Sequence, residues 1–254
     1  MTKFAKLFKY YATLCGMISK SEIKHIRSLR LKKNRIKTGE FVLEGEKLYE
    51  ELLKSNFNVV KAFSTIPDHG VELISENELS KVSQLSTPNK VIATVQIPKR
   101  IYDLQEFSDD LILVLDGVKD PGNLGTLLRI ADWFGIKNIV CSEDTVDVYN
   151  SKVVQATMGA VFRVNVHYLD LQHFLHGYKA TFPQHAIYAA DMEGDSVYTV
   201  TAQKGVLIMG SESHGLSDEI RALAQRITIP RVGEAESLNV AVAAGIICAC
   251  LKKS

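Results

Sequence analysis

ITIPRVGEAESLNVAVAAGI, residues 227–246, joins a short β-branched run to a run of small apolar residues through a loop that contains glycine. The pattern predicts a strand that ends at Pro230 and a helix over 238–251, with Ser237 as the N-cap of that helix. Asn239 then falls within the first helical turn, an odd position for a polar group before so apolar a run. The run VAVAAGI contains no large residue before its final isoleucine, so another group can pack very close to the helix. A tightly packed core helix and a binding function explain this stretch equally well.

The half of the chain around this stretch alternates between apolar strands and helices. Strands are predicted at 111–116, 138–142, 186–191, 205–210 and 227–230, and helices at 124–134, 217–225 and 238–251. The run LILVLD at 111–116 is apolar almost throughout, as in strands that are buried on both faces. This alternation predicts an α/β domain with a mainly parallel sheet, whose ligands lie near the strand ends.

A second stretch, VLIMGSESHGLS at 206–217, runs from an apolar strand into Gly210, Glu212 and Gly215, with Ser217 as the cap of the next helix. Glycines at a strand end let a ligand approach the backbone closely. Their spacing does not match a dinucleotide-binding loop, and no phosphate-binding loop of the GxxxxGK type occurs in the chain, so a nucleotide-dependent oxidoreductase is disfavoured. Taken alone, a glycine turn with an exposed glutamate explains the stretch better than a binding site does.

A third stretch, DGVKDPGNLGTLLRIADWFG at 116–135, passes from a strand through a Gly- and Pro-containing turn into a helix. Asn123 is predicted as the N-cap of that helix. Arg129 follows six residues later, where its side chain can reach a phosphate held near the helix start. Taken alone, a capped helix with a surface arginine explains this stretch as well.

Residues 19–98 predict a smaller α/β domain in front of the first one. A basic amphipathic helix is expected over 19–38, followed by a strand at 41–45, a helix at 46–55, a strand at 59–65, a helix at 75–85 and a strand at 90–97. The polar, aperiodic residues 99–108 are predicted as a linker to the domain at 109–254. Residues 1–18 are expected to be an N-terminal extension, and Met17 offers an alternative start. Its apolar part is short and is broken by Lys9, which argues against a signal peptide.

Charge is distributed unevenly along the chain. Residues 1–100 contain 18 Lys and Arg against 10 Asp and Glu, whereas residues 101–254 contain 12 against 19. Such asymmetry indicates a nucleic-acid partner, because phosphates are attracted to a basic patch with strong salt dependence. A solvated helix face is the simpler explanation if charge is considered alone. The RNA-contact candidates are the cations of the predicted basic helix: Lys24, Arg27, Lys32, Lys33 and Arg35.

The cysteines and the apolar runs exclude several other classes of protein. The four cysteines have neither zinc-site nor disulfide spacing, and Cys248 and Cys250 are predicted to be buried as small hydrophobic residues. A reducing cytoplasm fits this usage, and no metal is expected. No apolar run reaches the roughly 20 residues that a membrane-spanning helix needs.

Together, the three stretches resemble the SpoU/TrmH group of SPOUT RNA methyltransferases over about residues 108–251. The matching positions are Asn123 and Arg129 in the first motif, Gly210, Glu212, Gly215 and Leu216 in the second, and Ile229, Pro230, Ser237, Leu238 and Asn239 in the third. Two positions depart from the usual pattern: Arg231 stands where methionine is common, and Ala241 where serine is common. The first half resembles the ribosomal-protein-like substrate-binding domain of the same group, through Lys33, Asn34, Arg35 and FVLEGEKLYEE at 41–51.

The resemblance implies a C-terminal SPOUT domain with a deep trefoil knot, a homodimer with sites built from both subunits, and methyl transfer from S-adenosylmethionine to a ribose 2′-oxygen of RNA. By motif position, the cofactor would be held at Met209, Gly210, Gly215, Ile229, Pro230 and Leu238, and the catalytic residues would be Asn123, Arg129, Glu212, Ser237 and Asn239. An arginine is a poor base, so Arg129 is expected to orient the 2′-oxygen and stabilise negative charge. A base role for Arg129, or for Glu212 through water, stays open.

Large-subunit ribosomal RNA is the first candidate substrate because of the appended domain, and transfer RNA is the second. A non-catalytic RNA-binding or assembly factor on the same fold is a further alternative. A base or tRNA-guanine methyltransferase of the wider SPOUT group is disfavoured by Ser237-Leu238-Asn239, which points to ribose.

Overall fold

The computed structural model describes residues 16–67, 70–100, 102–211 and 215–252, which divide into two compact units. The first unit contains the described residues up to Lys99 together with Tyr149–Gln155, and the second contains Arg100–Val148 and the described residues from Ala156 onward. The expected N-terminal extension at 1–18 falls mostly outside the described residues. Its last part belongs to the fold of the first unit, since Ile18 is buried and the N–H of Gly16 donates to the carbonyl of Leu73 (2.8 Å).

The first unit is a four-stranded sheet with helices. Its elements are α1 (Lys20–Ser28), α2 (Lys32–Thr38), β1 (Glu40–Glu44), α3 (Glu46–Leu53), β2 (Val59–Ser64), β3 (Glu72–Leu73), α4 (Glu76–Val82) and β4 (Val91–Gln96). The strand order is β1-β4-β2-β3, in which β4 pairs antiparallel with both neighbours and β2 pairs parallel with β3. One core cluster includes Ile26, Leu29, Phe63 and Ile92.

The single basic helix predicted over 19–38 is wrong, because the chain turns between α1 and α2. Ser19 caps α1 and forms a capping box with Glu22. At the other end of α1, the guanidinium of Arg35 donates to the carbonyls of Leu29 (2.7 Å) and Arg30 (2.9 Å). Arg35 thereby provides a donor to carbonyls that a helix end leaves without partners. The second helix, α2, begins at Lys32.

The second unit is a six-stranded sheet with strand order β10-β8-β9-β5-β6-β7, and every pair is parallel. The elements from residue 111 onward are β5 (Leu111–Leu115), α5 (Pro121–Trp133), β6 (Asn138–Cys141), α6 (Ser151–Thr157), β7 (Asn165–Tyr168), α7 (Leu171–Thr181), β8 (Ala186–Ser196), β9 (Gly205–Met209), α8 (Asp218–Arg221), β10 (Gln225–Thr228) and α9 (Val240–Leu251). Most of α6 belongs to the segment Tyr149–Gln155 that groups with the first unit, and its last two residues belong to the second. All five residues of β5 are buried, as the apolar run predicted. The parallel α/β sheet expected from the alternation is confirmed.

Several elements differ from their predictions. α6, β7 and α7 were not predicted, and β8 extends to Ser196 instead of ending at residue 191. The predicted linker contains a 3-10 helix, Leu104–Phe107, whose last side chain is fully buried at 5.5 Å, ring centre to ring centre, from Phe174. The second half of that linker is therefore part of the core of the C-terminal unit.

Helix α9 is apolar along its whole length. Cys248 and Cys250 are buried in it, as predicted. A Cβ placed on Gly245 would lie 3.6 Å from Cδ1 of Ile130, so α9 and α5 pack side by side where a small residue allows close approach. In the parts of the chain that the structure describes, no helix is both long and apolar enough to cross a membrane.

Candidate active site

A side-chain hydrogen bond joins the first and third motifs. Nδ2 of Asn239 donates to Oδ1 of Asn123 (2.9 Å), across 116 residues of sequence. Oδ1 of Asn239 accepts from the N–H groups of Ala241 (2.9 Å) and Val242 (3.3 Å), so this side chain is the N-cap of α9. Ser237 was predicted as this N-cap, and the prediction is wrong because the helix begins two residues later. Asn239, the polar residue that was expected inside the first turn, is the N-cap.

The start of α5 corrects a second capping prediction. Asp120 is the N-cap, and its Oδ1 accepts from the N–H of Asn123 (2.8 Å). Pro121 follows at the first helical position, where its missing N–H costs nothing. The side chain of Asn123 is therefore not the N-cap of α5, and its Oδ1 accepts from Asn239 instead.

The described residues of the second motif follow β9 and pair with each other on either side of 212–214. The N–H of Ser211 donates to the carbonyl of Gly215 (3.2 Å), and the N–H of Gly215 donates back to Ser211 (3.0 Å). A Cβ on Gly210 would overlap the backbone of Gly215, whereas a Cβ on Gly215 would meet nothing within 4 Å. Gly215 also has a φ of +65°, which favours glycine. Glu212, predicted as a catalytic residue, lies outside the described residues. Ser217 caps α8, as predicted.

Asp116 connects the first motif to the second. Its N–H donates to the carbonyl of Met209 (2.9 Å), and its Oδ2 accepts from the N–H of Ser217 (3.4 Å). Burial raises the pKa of Asp116 and the nearby carboxylate of Asp144 adds to the rise, while the Ser217 N–H and Lys119 oppose it. Sequence reasoning treated Asp116 only as the end of a strand.

The third motif presents an exposed loop. Every residue from Pro230 to Asn239 is exposed, including Val232 at 101% and Leu238 at 48%. Within the described part of the chain, the backbone N–H groups from Arg231 to Leu238 form no backbone hydrogen bond. Arg231, which stands where the family often has methionine, folds back within the loop, and its Nη1 donates to the carbonyl of Ala235 (3.4 Å). The loop therefore offers backbone donors and an apolar side chain to a ligand.

Arg129 lies on α5, six residues after Asn123. It is exposed on α5 and forms no ion pair with any residue that the structure describes. Six residues of helix place its side chain about 120° around the axis from Asn123. It shares a stripe of exposed positions with Thr126 and Trp133, the latter 85% exposed. Within the described residues, a hydrogen bond joins Asn123 and Asn239, and Arg129 lies on a different face of α5 from Asn123.

Residues near the end of α6 support α5, and no motif signalled them. A Cβ on Gly125 would overlap the side chain of Ala156, so the two helices are in close contact there.

The guanidinium of Arg163 contacts both carboxylate oxygens of Asp132, with Nε at 3.1 and 3.0 Å. Met158 has a φ of +50°, a strained value for a residue with a side chain, and is 54% exposed.

In the first unit, four of the five predicted RNA-contact residues are exposed: Lys24, Arg27, Lys32 and Lys33. Arg35 is only 3% exposed, and its guanidinium is used at the end of α1. Its predicted role as a surface RNA contact is wrong, because the guanidinium is buried and donates to backbone carbonyls inside the unit.

Comparison with known proteins identifies the family. A model of the SpoU rRNA methylase family matches residues 110–249, and a model of the MRM3-like substrate-binding domain matches residues 20–93. A 23S rRNA (guanosine(2553)-2′-O)-methyltransferase of Bacillus subtilis is 32% identical over 238 residues, which cover 89% of this chain and 94% of that protein. A 23S rRNA (guanosine-2′-O-)-methyltransferase of Haemophilus influenzae is also 32% identical, over 70% of this chain and 76% of that protein.

Solved structures with the same fold support this assignment. A TrmH-family protein from Porphyromonas gingivalis has a TM-score of 0.82 and 34% identity, covering 92% of this chain and 98% of that one. An AdoMet-bound rRNA methyltransferase from Sinorhizobium meliloti has a TM-score of 0.82 and 28% identity, covering 93% and 97%. The expected fold class, a SPOUT domain behind a small substrate-binding domain, is confirmed. This chain belongs to the SpoU rRNA methylase family.

Proposed function

We propose that this protein transfers a methyl group from S-adenosylmethionine to the 2′-oxygen of a ribose in large-subunit ribosomal RNA. The observation that carries the proposal is the hydrogen bond between Asn239 and Asn123, which joins two motifs that are far apart in sequence. The family membership and the names of two relatives, both 23S rRNA 2′-O-methyltransferases, support the reaction and the RNA class.

The described residues fit S-adenosylmethionine, which supplies an electrophilic methyl group on a sulfonium when it is bound. The loop after β10 offers unbonded backbone N–H groups and the exposed side chain of Leu238, and Gly215 leaves open space where a side chain would stand. A related enzyme from Sinorhizobium meliloti was solved with AdoMet. The residues that would hold the cofactor are those of the predicted set: Met209, Gly210, Gly215, Ile229, Pro230 and Leu238.

The catalytic task of the protein is mainly to position the attacking hydroxyl. Arg129 would orient the 2′-oxygen and its neighbouring phosphate and stabilise the developing negative charge, because a guanidinium keeps its proton at ordinary pH. Asn123, Asn239 and the hydroxyl of Ser237 would fix the ribose by hydrogen bonds. Glu212 is a second route by which the proton can leave through water.

We infer a homodimer in which Arg129 completes the site of the partner. Arg129 lies beside Trp133 on the exposed stripe of α5, and α9, which packs against α5, exposes Val242 (53%). Helix α9 is apolar on all sides, which is typical of a buried helix. We therefore expect the exposed side of α5 and α9 to be buried against another protein surface. A second copy would supply that cover and bring its own arginine to the site. The dimer and the RNA substrate are consistent with a cytoplasmic protein.

Mixing two inactive variants tests the shared site. A heterodimer of Arg129→Ala and Asn239→Ala subunits contains one site with both side chains intact only if Arg129 acts on the partner. A random mixture should then recover about a quarter of the wild-type rate, because half of the dimers carry one of two sites. No recovery in a verified heterodimer would place Arg129 in the site of its own subunit.

The RNA would also contact the first unit through its exposed cations on α1 and α2. These residues are Lys24, Arg27, Lys32 and Lys33. Charge attraction of this kind supplies affinity without sequence preference, so the choice of nucleotide would come from elsewhere in the complex.

Transfer of a labelled methyl group tests the function itself. The protein with labelled S-adenosylmethionine should methylate 23S ribosomal RNA at a ribose, and it should not methylate transfer RNA at a comparable rate. Preferred labelling of transfer RNA would favour the alternative substrate. Cofactor binding without labelling of either RNA, or no binding at all, would favour the non-catalytic factor.

A further inference from the structure

We propose that Met158 contacts an unpaired base of the RNA beside Arg129, so that the two side chains together hold one nucleotide. This inference rests on the proposed function, in which Arg129 orients a ribose and its phosphate. Met158 lies between α6 and a 3-10 helix, Ala160–Phe162, that packs against α5. Met158 is 54% exposed, so its side chain is accessible to a ligand.

The segment from Ala156 to Arg163 contacts one side of α5 at two places. At its start, a Cβ on Gly125 would overlap Cβ of Ala156. At its end, Nε of Arg163 donates to both carboxylate oxygens of Asp132 (3.1 and 3.0 Å). Gly125, Arg129 and Asp132 are separated by four and then three residues, a spacing that places them on one side of a helix. Arg129 therefore lies between the two contacts, next to this segment.

Met158 keeps a side chain at a backbone position that favours glycine. Its φ is +50°, and that of Gly159 is +96°. Among the described residues, the other positions with a positive φ are glycines, with the exception of Lys90. A side chain is destabilising in this region, and such strain is typical of sites where the strained residue is used. Because Met158 is more exposed than buried, packing in the core does not explain why glycine is absent here.

The chemistry of the two side chains fits the two ends of a nucleotide. A thioether is polarizable and unbranched, and sulfur makes favourable contacts with aromatic rings about 5 Å away. The guanidinium of Arg129 matches a phosphate in geometry and charge. Since one sugar joins the base to the phosphate, neighbouring thioether and guanidinium groups can bind both at once. Met158 offers a base no hydrogen-bond pattern, so it should add affinity without selecting among the bases.

Steady-state methyl transfer by full-length variants tests the contact. Met158→Ala removes the thioether, and Met158→Leu keeps an apolar group of similar volume. Met158→Ala should raise the KM for 23S ribosomal RNA about three- to tenfold, the factor that corresponds to a sulfur–aromatic contact. The kcat and the KM for S-adenosylmethionine should change by less than about twofold, as expected for lost substrate binding. Met158→Leu should restore the KM to within about twofold of the wild type.

Met192→Ala is the matched control. Met192 lies on β8 in the C-terminal unit and is 56% exposed, almost the same as Met158. Its replacement removes an equally accessible thioether away from α5 and should leave the KM for RNA unchanged. An equal rise in both variants would show a general effect of surface methionines and would overturn the inference.

Thermal melting separates the backbone from the side chain. Met158→Gly and Met158→Ala both lack the thioether, so both should show the raised KM. At an ordinary position the glycine variant is the less stable of the two, but at this φ the order should reverse. We expect Met158→Gly to melt about 2 °C above Met158→Ala. The ordinary order would contradict the claim that a side chain is kept here at a cost to stability.

The remaining outcomes are decided by RNA binding and by oligomeric state. A wild-type KM in Met158→Ala would overturn the inference. A changed oligomeric state of Met158→Ala in sedimentation would also overturn it, because the side chain would then contact a second copy of the chain. A wild type that transfers no methyl group to 23S ribosomal RNA would sink the proposed function. Filter binding of the same RNA would then still decide the role of Met158, since equal affinities of wild type and Met158→Ala, or no binding by either, would refute the contact.

Discussion

Replacing Asn239 by alanine or by aspartate separates the two contacts that this side chain makes. Its Oδ1 caps α9, and its Nδ2 donates to Asn123. Alanine removes both contacts. Aspartate keeps the capping oxygen, because Asp and Asn are equally good N-caps, but it has no N–H to donate.

The expected magnitudes follow from these contacts. Loss of an N-cap costs about 1 kcal/mol, and loss of a hydrogen bond about 1 kcal/mol, so Asn239→Ala should lower the free energy of unfolding by about 2 kcal/mol. Asn239→Asp should lose only about 1 kcal/mol, since the cap remains. Both variants should lose most of the methyl transfer, because both break the connection between the motifs at Asn123.

Urea denaturation of the three proteins, together with labelled-methyl transfer, measures both effects. Ser75→Ala is a matched control, because Ser75 is the N-cap of α4 in the first unit and its side chain accepts from the N–H of Glu78. It should lower stability by about 1 kcal/mol and leave the transfer step unchanged. If Asn239→Asp transferred methyl groups at the wild-type rate, the connection between Asn123 and Asn239 would not be part of the site.

Three further predictions concern the arginines and the basic face. Arg129→Ala should abolish methyl transfer while the circular dichroism spectrum and the affinity for S-adenosylmethionine stay normal; a normal transfer rate would remove Arg129 from catalysis. Alanine at all four exposed cations, Lys24, Arg27, Lys32 and Lys33, should reduce the salt slope of RNA binding by about 3, whereas Lys54→Ala should not change it. Arg35→Ala should cost about 3 kcal/mol of stability, because buried carbonyls lose their donor, and calorimetric melting would show no such loss if the contacts were unimportant.

Local patterns in the sequence predicted the parts of the fold that depend on local chemistry. The apolar run at β5 predicted a strand buried on both faces, and Gly39, with a φ of +69°, is the C-cap of α2 at the point where the helix predicted over 19–38 ends. The small residues of α9 predicted close packing, which Gly245 makes against Ile130. The three motifs were sufficient to predict the family, and a hydrogen bond joins the first motif to the third at Asn123 and Asn239.

The remaining features depend on contacts between distant residues, which periodicity does not encode. Arg35 has the sequence context of a surface cation, but it is buried because the carbonyls of Leu29 and Arg30 need a donor. Asn123 was predicted as the N-cap of α5, and the prediction is wrong because Asp120, an equally good cap three residues earlier, takes that position. The contact of Gly125 with Ala156 likewise has no local signal, because it joins α5 to a helix that was not predicted.

Mapping of ribose methylation in cells tests the central claim most directly. Ribosomal and transfer RNA from a deletion strain should be compared with RNA from the same strain carrying the wild-type gene or the Arg129→Ala variant. We predict that one 2′-O-methyl group of the large-subunit RNA is lost on deletion, returns with the wild type and does not return with Arg129→Ala. An unchanged methylation pattern in the large-subunit RNA, or restoration by Arg129→Ala, would contradict the account.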